Sequence, residues 1–166
     1  MRAALSLALL LAAGPALAQP STQQGGNIEG PYGGGQYRMG PLHFCAGYVA
    51  VDIPAGDHVV LRQGRDSAVY YIESRDGSGF GLYTGSVPDH GYATATPTTV
   101  AGLPADLENA SGAHSYMIHV PNAASPTYVH LFGAIWKGGA SDAALLSRIH
   151  IGQPASIGCA HPTFAH

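Results

Sequence analysis

The chain has 166 residues, 7 Lys and Arg against 10 Asp and Glu, and a formal charge of -3 with only 10% charged side chains. No basic surface is available to neutralise phosphates, which excludes nucleic acid as a partner. With 23 Gly, 12 Pro, 9 His and a single Lys, Lys137, the surface must be built from Gly, Ser, Thr, Asn, Tyr and His, a composition of β-rich exported proteins rather than cytosolic helical ones.

Residues 1–18 read as a cleavable secretory signal peptide. Arg2 supplies the positive n-region, Leu5 to Ala13 the apolar h-region, and Ala16-Leu17-Ala18 the small-x-small site after Gly14-Pro15. The expected product starts after Ala18 and is periplasmic or extracellular. The apolar run falls short of the roughly 20 residues of a spanning helix, and no later stretch reaches that length. No membrane span is expected. What remains fits one domain on the usual scale of about 100–200 residues, and its oligomeric state is left open.

Residues 19–41, with Gly25-Gly26, Gly30-Pro31 and Gly33-Gly34-Gly35 and almost no aliphatics, read as a flexible leader. The single domain then occupies 42–166. From Phe44 onward, short β-branched and aromatic runs alternate with turn residues, the pattern of antiparallel sheets. Strands are expected over 44–51, 58–63, 68–73, 79–84, 113–120 and 128–136. Pro54-Ala55-Gly56 marks one tight turn and Asp76-Gly77 one hairpin. The phrase over 51–61 is similar to turn-and-strand stretches of exported β-sandwich modules, pre-peptidase C-terminal domains among them. The rest of the chain does not follow that pattern, and no family is assigned.

Residues 83–104, rich in Thr, Gly and Pro, read as a long loop of the kind that binds ligands on a rigid frame. Ser141, Asp142, Ala143, Ala144, Leu145, Leu146 and Ile149 have helical spacing with Gly152 and Pro154 as a stop, so 141–151 is expected to be a short helix packed on the sheet. A strand over 148–151, from its strict alternation, competes. The fold expected is thus mainly β: an antiparallel β-sandwich or open barrel-like sheet with one short C-terminal helix. Cys45 and Cys159, an even count in an exported chain, are expected to form a disulfide tying the tail to the first strand.

Function is harder to read. The nine His show no HxH, HExxH or HxxxH pair, so a metal site would have to be assembled across strands. If Val120 pairs with Thr127, Met117 faces His130 and His119 faces Tyr128. Ser115, Met117, His119, Tyr128, His130 and Phe132 then share one face, while Tyr116, Ile118, Val120, Val129 and Leu131 form the core face. His119, Tyr128 and His130 are the leading ligand-binding candidates, with Arg65 beside the Tyr70-Tyr71 strand and Tyr92 in the 83–104 loop. His119 and His130 are also weak metal candidates, and no cofactor is expected. Glu73 is the acid placed within a strand, and no GxSxG elbow is present. The leading expectation is a non-enzymatic binding or envelope-associated module for a glycan, peptide or envelope surface. The alternative is a periplasmic or secreted hydrolase, metal-assisted or carboxylate-based, which requires convergence of at least three of His90, His119, His130, Glu73 and Asp76 into one pocket.

Overall fold

The structure is a computed structural model that describes residues 25–28, 35–63, 68–86, 94–110, 113–123, 127–135 and 142–164. Residues 1–18, read from the sequence as a signal peptide, lie outside the described residues. Alternation of apolar side chains sets two antiparallel sheets. A nine-stranded sheet contains β1 (Gly25–Ile28), β2 (Gly35–Met39), β5 (His58–Gln63), β6 (Ala68–Glu73), β7 (Gly79–Gly85), β8 (Thr96–Val100), β9 (Leu103–Ala110), β10 (Ala113–His119) and β11 (Tyr128–Ile135), in the order β1-β2-β5-β6-β7-β11-β10-β9-β8. A three-stranded sheet runs β12-β4-β3, from β3 (Leu42–Ala46), β4 (Val49–Ile53) and β12 (Ile149–Ile151).

The inner face of the large sheet presents Val59, Leu61, Tyr70, Ile72, Phe80, Leu82, Ile118, Val129 and Leu131. These join Phe44, Val49, Val51, Ile53 and Ile149 of the small sheet in one buried cluster. The mainly β, sandwich-like expectation is met. Phe44, fully buried, meets Tyr70 and Phe164 edge-on at ring separations of 5.0 and 6.1 Å. Phe164 arrives there because the tail is stitched to β3. The Cys45–Cys159 disulfide forms as expected, Thr163 N–H donates to the Cys45 carbonyl at 3.0 Å, and Cys45 N–H donates to Thr163 Oγ1 at 2.7 Å.

The corner where the chain leaves the small sheet for the large one is built on Asp57, 7% exposed. Its carboxylate accepts from Ser74 Oγ (2.9 Å), Arg75 N–H (3.2 Å) and Arg148 Nη1 (3.0 Å). Its own N–H donates to the Pro54 carbonyl at 3.2 Å. One side chain therefore joins the β4–β5 turn, the β6–β7 hairpin and the approach to β12.

Four expectations are corrected. The strand expected over 44–51 is two strands, because Gly47 at φ 60 opens a two-residue turn with Tyr48, a hairpin geometry that needs glycine first. The loop expected over 83–104 contains β8 and leads into β9 through Ala101-Gly102, both at positive φ. Here strand pairing overrode a Thr- and Pro-rich composition; β8 is an edge strand, where Pro97 is tolerated. The helix expected over 141–151 shrinks to the five residues of α1 (Asp142–Leu146), whose Asp142 accepts from His114 and Tyr116. Only Leu145 of α1 is buried, whereas Ile149 to Ile151 gain a ladder on the open edge of β4, so the competing strand reading prevails there. A 3-10 turn, Pro154–Ile157, follows. Finally, the segment read as a leader includes β1 and β2, with Tyr37 paired opposite Val60 through backbone bonds that need no aliphatic side chains.

Two outcomes test this account. Asp57→Ala leaves the half-buried Arg148 without its carboxylate and is expected to cost about 2–4 kcal/mol in denaturant unfolding; a loss below about 1 kcal/mol would show that the corner does not depend on it. Ala101 sits at φ 50, a left-handed conformation costing a non-glycine residue roughly 1–2 kcal/mol. Ala101→Asn, which creates the preferred Asn-Gly turn, is expected to raise stability by about 0.5–1 kcal/mol.

Candidate functional site

Side chains that do not enter the core point out of the large sheet on its other face, and the register brings aromatic residues into rows. One row runs Tyr37, Val60, Tyr71, Gly81, Phe132 across five strands. The next runs Arg62, Val69, Tyr83, His130, Met117. Beyond it, His119 lies opposite Tyr128, which lies opposite Gly85.

Glycine at 81 determines how these rings lie. A Cβ there would come within 2.4 Å of the Phe132 ring, so the ring rests on bare backbone. Tyr71 meets Phe132 edge-on at 6.3 Å, and His130 sits 5.0 Å from Phe132. His119 and Tyr128 pair at 5.4 Å. Tyr71, Tyr83, Tyr128 and Phe132 are half-buried, while His119 is exposed.

Where β11 slips register between Phe132 and Ile135, with Gly133 at φ 61, the sheet opens a cleft of about 320 Å³. Bulges of this kind re-aim side chains next to binding sites. Tyr71 and Phe132 line the cleft, with Glu73, Ser74 and Ser78 at its polar side. Glu73 Oε2 lies 3.2 Å from Nε2 of His58, its cross-strand partner. The volume falls at the lower end of small-ligand sites, roughly 300–1,000 Å³.

Among the sequence candidates, His119, Tyr128 and His130 come together in the register expected, with Val120 N–H donating to the Thr127 carbonyl at 2.9 Å. His130 is only 6% exposed, so its pairing with His119 is not an open two-imidazole surface. Arg65, Tyr92 and His90 lie outside the described residues. Among the described members of the hydrolytic set, His130 and Glu73 stand apart: His130 is opposite Tyr83 and Glu73 opposite Gly79, four residues or about 13 Å apart along β7. Asp76 accepts instead from Ser78 N–H and Oγ at 2.8 and 2.5 Å, as a turn former does. Ligand atoms of His43, Cys45 and Cys159 also lie close together, but the two sulfurs are joined to each other and cannot bind a metal as thiolates.

A second constellation, on the outer face of the small sheet, escapes sequence reading. Asp52 Oδ1 bonds His43 Nδ1 at 2.7 Å, Asp52 Oδ2 bonds His150 Nε2 at 2.8 Å, and His43 Nε2 reaches the Ile157 carbonyl at 2.8 Å. The signal for half of it is the Gly47-Tyr48 turn, since His43 and Asp52 are equally spaced about it and therefore face each other. The hydrogen bonds from His150 and then His43 hold the Asp52 carboxyl below its ordinary range. Both nitrogens of His43 face acceptors, Asp52 foremost and then Ile157, which raises its pKa.

No family model matches the chain, and no curated protein or solved structure matches it. No helix among the described residues is long and apolar enough to cross a membrane.

The His43–Asp52 contact sets a pH window. Its Asp52 contribution is present above 3.8 and is lost as pH falls through the lowered folded value. The His43 contribution is complete below 6.5 and is lost as pH rises through the raised folded value. In metal-free buffer, wild type is expected to lose more melting temperature than His43→Gln between pH 6 and 8. Both side chains are more than a third exposed, so the difference is at most about 4 °C; identical pH profiles would sever the link.

Proposed function

We propose that this chain is an exported, non-enzymatic module that binds a glycan on the aromatic outer face of the nine-stranded sheet. The observation that carries the reading is the Phe132 ring packed against the bare backbone of Gly81 beside Tyr71, on the wall of a cleft that also contains Glu73. Sugar rings are amphipathic in a way that suits such a wall. Their C–H faces stack on an aromatic ring, and their hydroxyls need acceptors and donors at the rim. Glu73 and His58 offer these at one end, and His119 with the phenols of Tyr83 and Tyr128 at the other. A sheet is a stiff base for such a platform, which limits the ordering cost of binding.

Export is supported by the n-region, h-region and small-x-small pattern of residues 1–18. The Cys45–Cys159 disulfide agrees with an oxidising compartment. A carboxylate hydrolase reading retains Glu73 in the cleft, but it requires a second acid roughly 5–10 Å away. Asp76 on the same hairpin is committed to Ser78.

Screening soluble envelope and plant polysaccharides by affinity electrophoresis, followed by calorimetry on a bound oligosaccharide, tests the proposal. Phe132→Ala and Tyr71→Ala are expected to weaken binding at least about tenfold each, equivalent to roughly 1.4 kcal/mol, with an unchanged circular dichroism spectrum. Binding to none of the polysaccharides, or undiminished binding by both variants, would overturn the reading.

A further inference from the structure

The cleft beside Phe132 holds a charge that its own lining leaves unopposed. Glu73 is the one charged side chain among the lining residues; the others are Tyr71 and Phe132, serines, glycines and the buried Ile72 and Phe80, with no Lys or Arg. The Glu73 side chain is 56% exposed, and His58 Nε2 stands 3.2 Å from one of its oxygens, which leaves the other for a ligand. Gly79, opposite Glu73 on β7, adds no side chain to cover it. A Cβ at Gly79 would lie 2.7 Å from the Ile72 carbonyl, so that position stays bare.

The wider outer face has the same sign. By register, the charged side chains it carries among the described residues, histidines aside, are Glu73, Asp106 and Glu108 against a single cation, Arg62. Arg62 stands four residues from His58 along β5, roughly 13 Å from the Glu73 row, and does not neutralise the cleft. Building on the glycan reading above, we propose that the cleft selects glycans that carry protonated amines, namely hexosamine polymers from which some or all acetyl groups have been removed.

Spacing on β6 supports this selection. Glu73 follows Tyr71 by two residues and shares its face, so the carboxylate stem stands about 7 Å further along the strand. That is close to the width of one sugar ring. A ring stacked on Phe132 and Tyr71 therefore brings a substituent of its edge beside Glu73. A hydroxyl placed there gains a hydrogen bond to a carboxylate, whereas an ammonium gains one in which both partners are charged, a stronger bond. The same ammonium is drawn to the negative face of the neighbouring rings, and it polarises the C–H bonds that stack on them. A uronate in that position would set like charge against Glu73. Glucosamine units suit the wall in shape as well, because equatorial substituents leave axial C–H bonds on both faces of the ring.

Calorimetry with the β-linked tetramers of glucosamine, N-acetylglucosamine and glucose tests the selection, since these differ only in bearing an amine, an acetamide or a hydroxyl at one carbon. In a low-salt, mildly acidic buffer the amine tetramer is expected to bind about five- to tenfold more tightly than the hydroxyl tetramer. That ratio is expected to fall toward one in Glu73→Gln, whatever each tetramer loses on its own, and to shrink at high ionic strength. Circular dichroism of the variant confirms the fold. Equal affinity of wild type for the amine and hydroxyl tetramers overturns the inference and leaves the glycan reading standing. A preference that survives intact in Glu73→Gln, or tighter binding of the acetamide than of the amine, does the same. Binding of none of the three also overturns it, and the polysaccharide screen then decides separately whether the glycan reading falls too.

Discussion

A buried carboxylate at the corner of the sandwich determines how the two sheets meet. The chain passes from β4 to β5 through Pro54 to Asp57, and at that point it must leave the small sheet and start the large one. Asp57 is tied there by Ser74 and Arg75 of the β6–β7 hairpin and by Arg148 of the segment that leads into β12. One end of the large sheet and one edge of the small sheet are thereby referenced to a single group. A carboxylate can occupy such a place only when its oxygens are satisfied and its charge is matched, as they are here by two neutral donors and a guanidinium.

Given that corner, the rest of the architecture is a matter of which side chains face inward. Alternate residues along β5, β6, β7, β10 and β11, Val59 and Leu61, Tyr70 and Ile72, Phe80 and Leu82, Tyr116 and Ile118, Val129 and Leu131, enter the shared core, and the tail closes the layer by bringing Phe164 against Phe44 and Tyr70. The alternate residues are then forced outward on the same strands. The aromatic rows of the outer face and the packed inner face are therefore two readings of one alternation. A mutation that shifted the register by one residue would lose both together.

Much of this was legible from sequence. Strands 58–63 and 68–73 coincide with β5 and β6, because Pro54-Ala55-Gly56 and Asp76-Gly77 are turns with strong local chemistry. The β10–β11 register was deducible too, since placing Val120 against Thr127 leaves Tyr116, Ile118, Val129 and Leu131 as a consistent apolar set. Harder to see were turns whose residues carry weaker signals. Gly47-Tyr48 reads as strand interior, and Ala101 gives no warning of a positive φ. The end of the chain misled for another reason: Ala143 to Ile149 has helical spacing, but the open edge of β4 offered Ile149 to Ile151 three backbone partners. Tertiary pairing of that sort has no local signature. The His43–Asp52–His150 constellation was hidden by both effects, needing one unseen turn and one strand that stood only as the competing reading.

Among the described residues the large sheet does not close on itself, and one of its ends is β8, whose five residues are Thr-Pro-Thr-Thr-Val. An unpaired strand edge invites another chain to continue the ladder, the first step toward fibrous association. Pro97 removes a backbone donor from that edge, and its neighbours Thr96, Thr98 and Thr99 offer no broad apolar surface to a newcomer. The composition that made β8 hard to recognise as a strand is the same composition that discourages foreign strands from adding to it. Safety from self-assembly and obscurity in the sequence have, at this edge, one chemical origin.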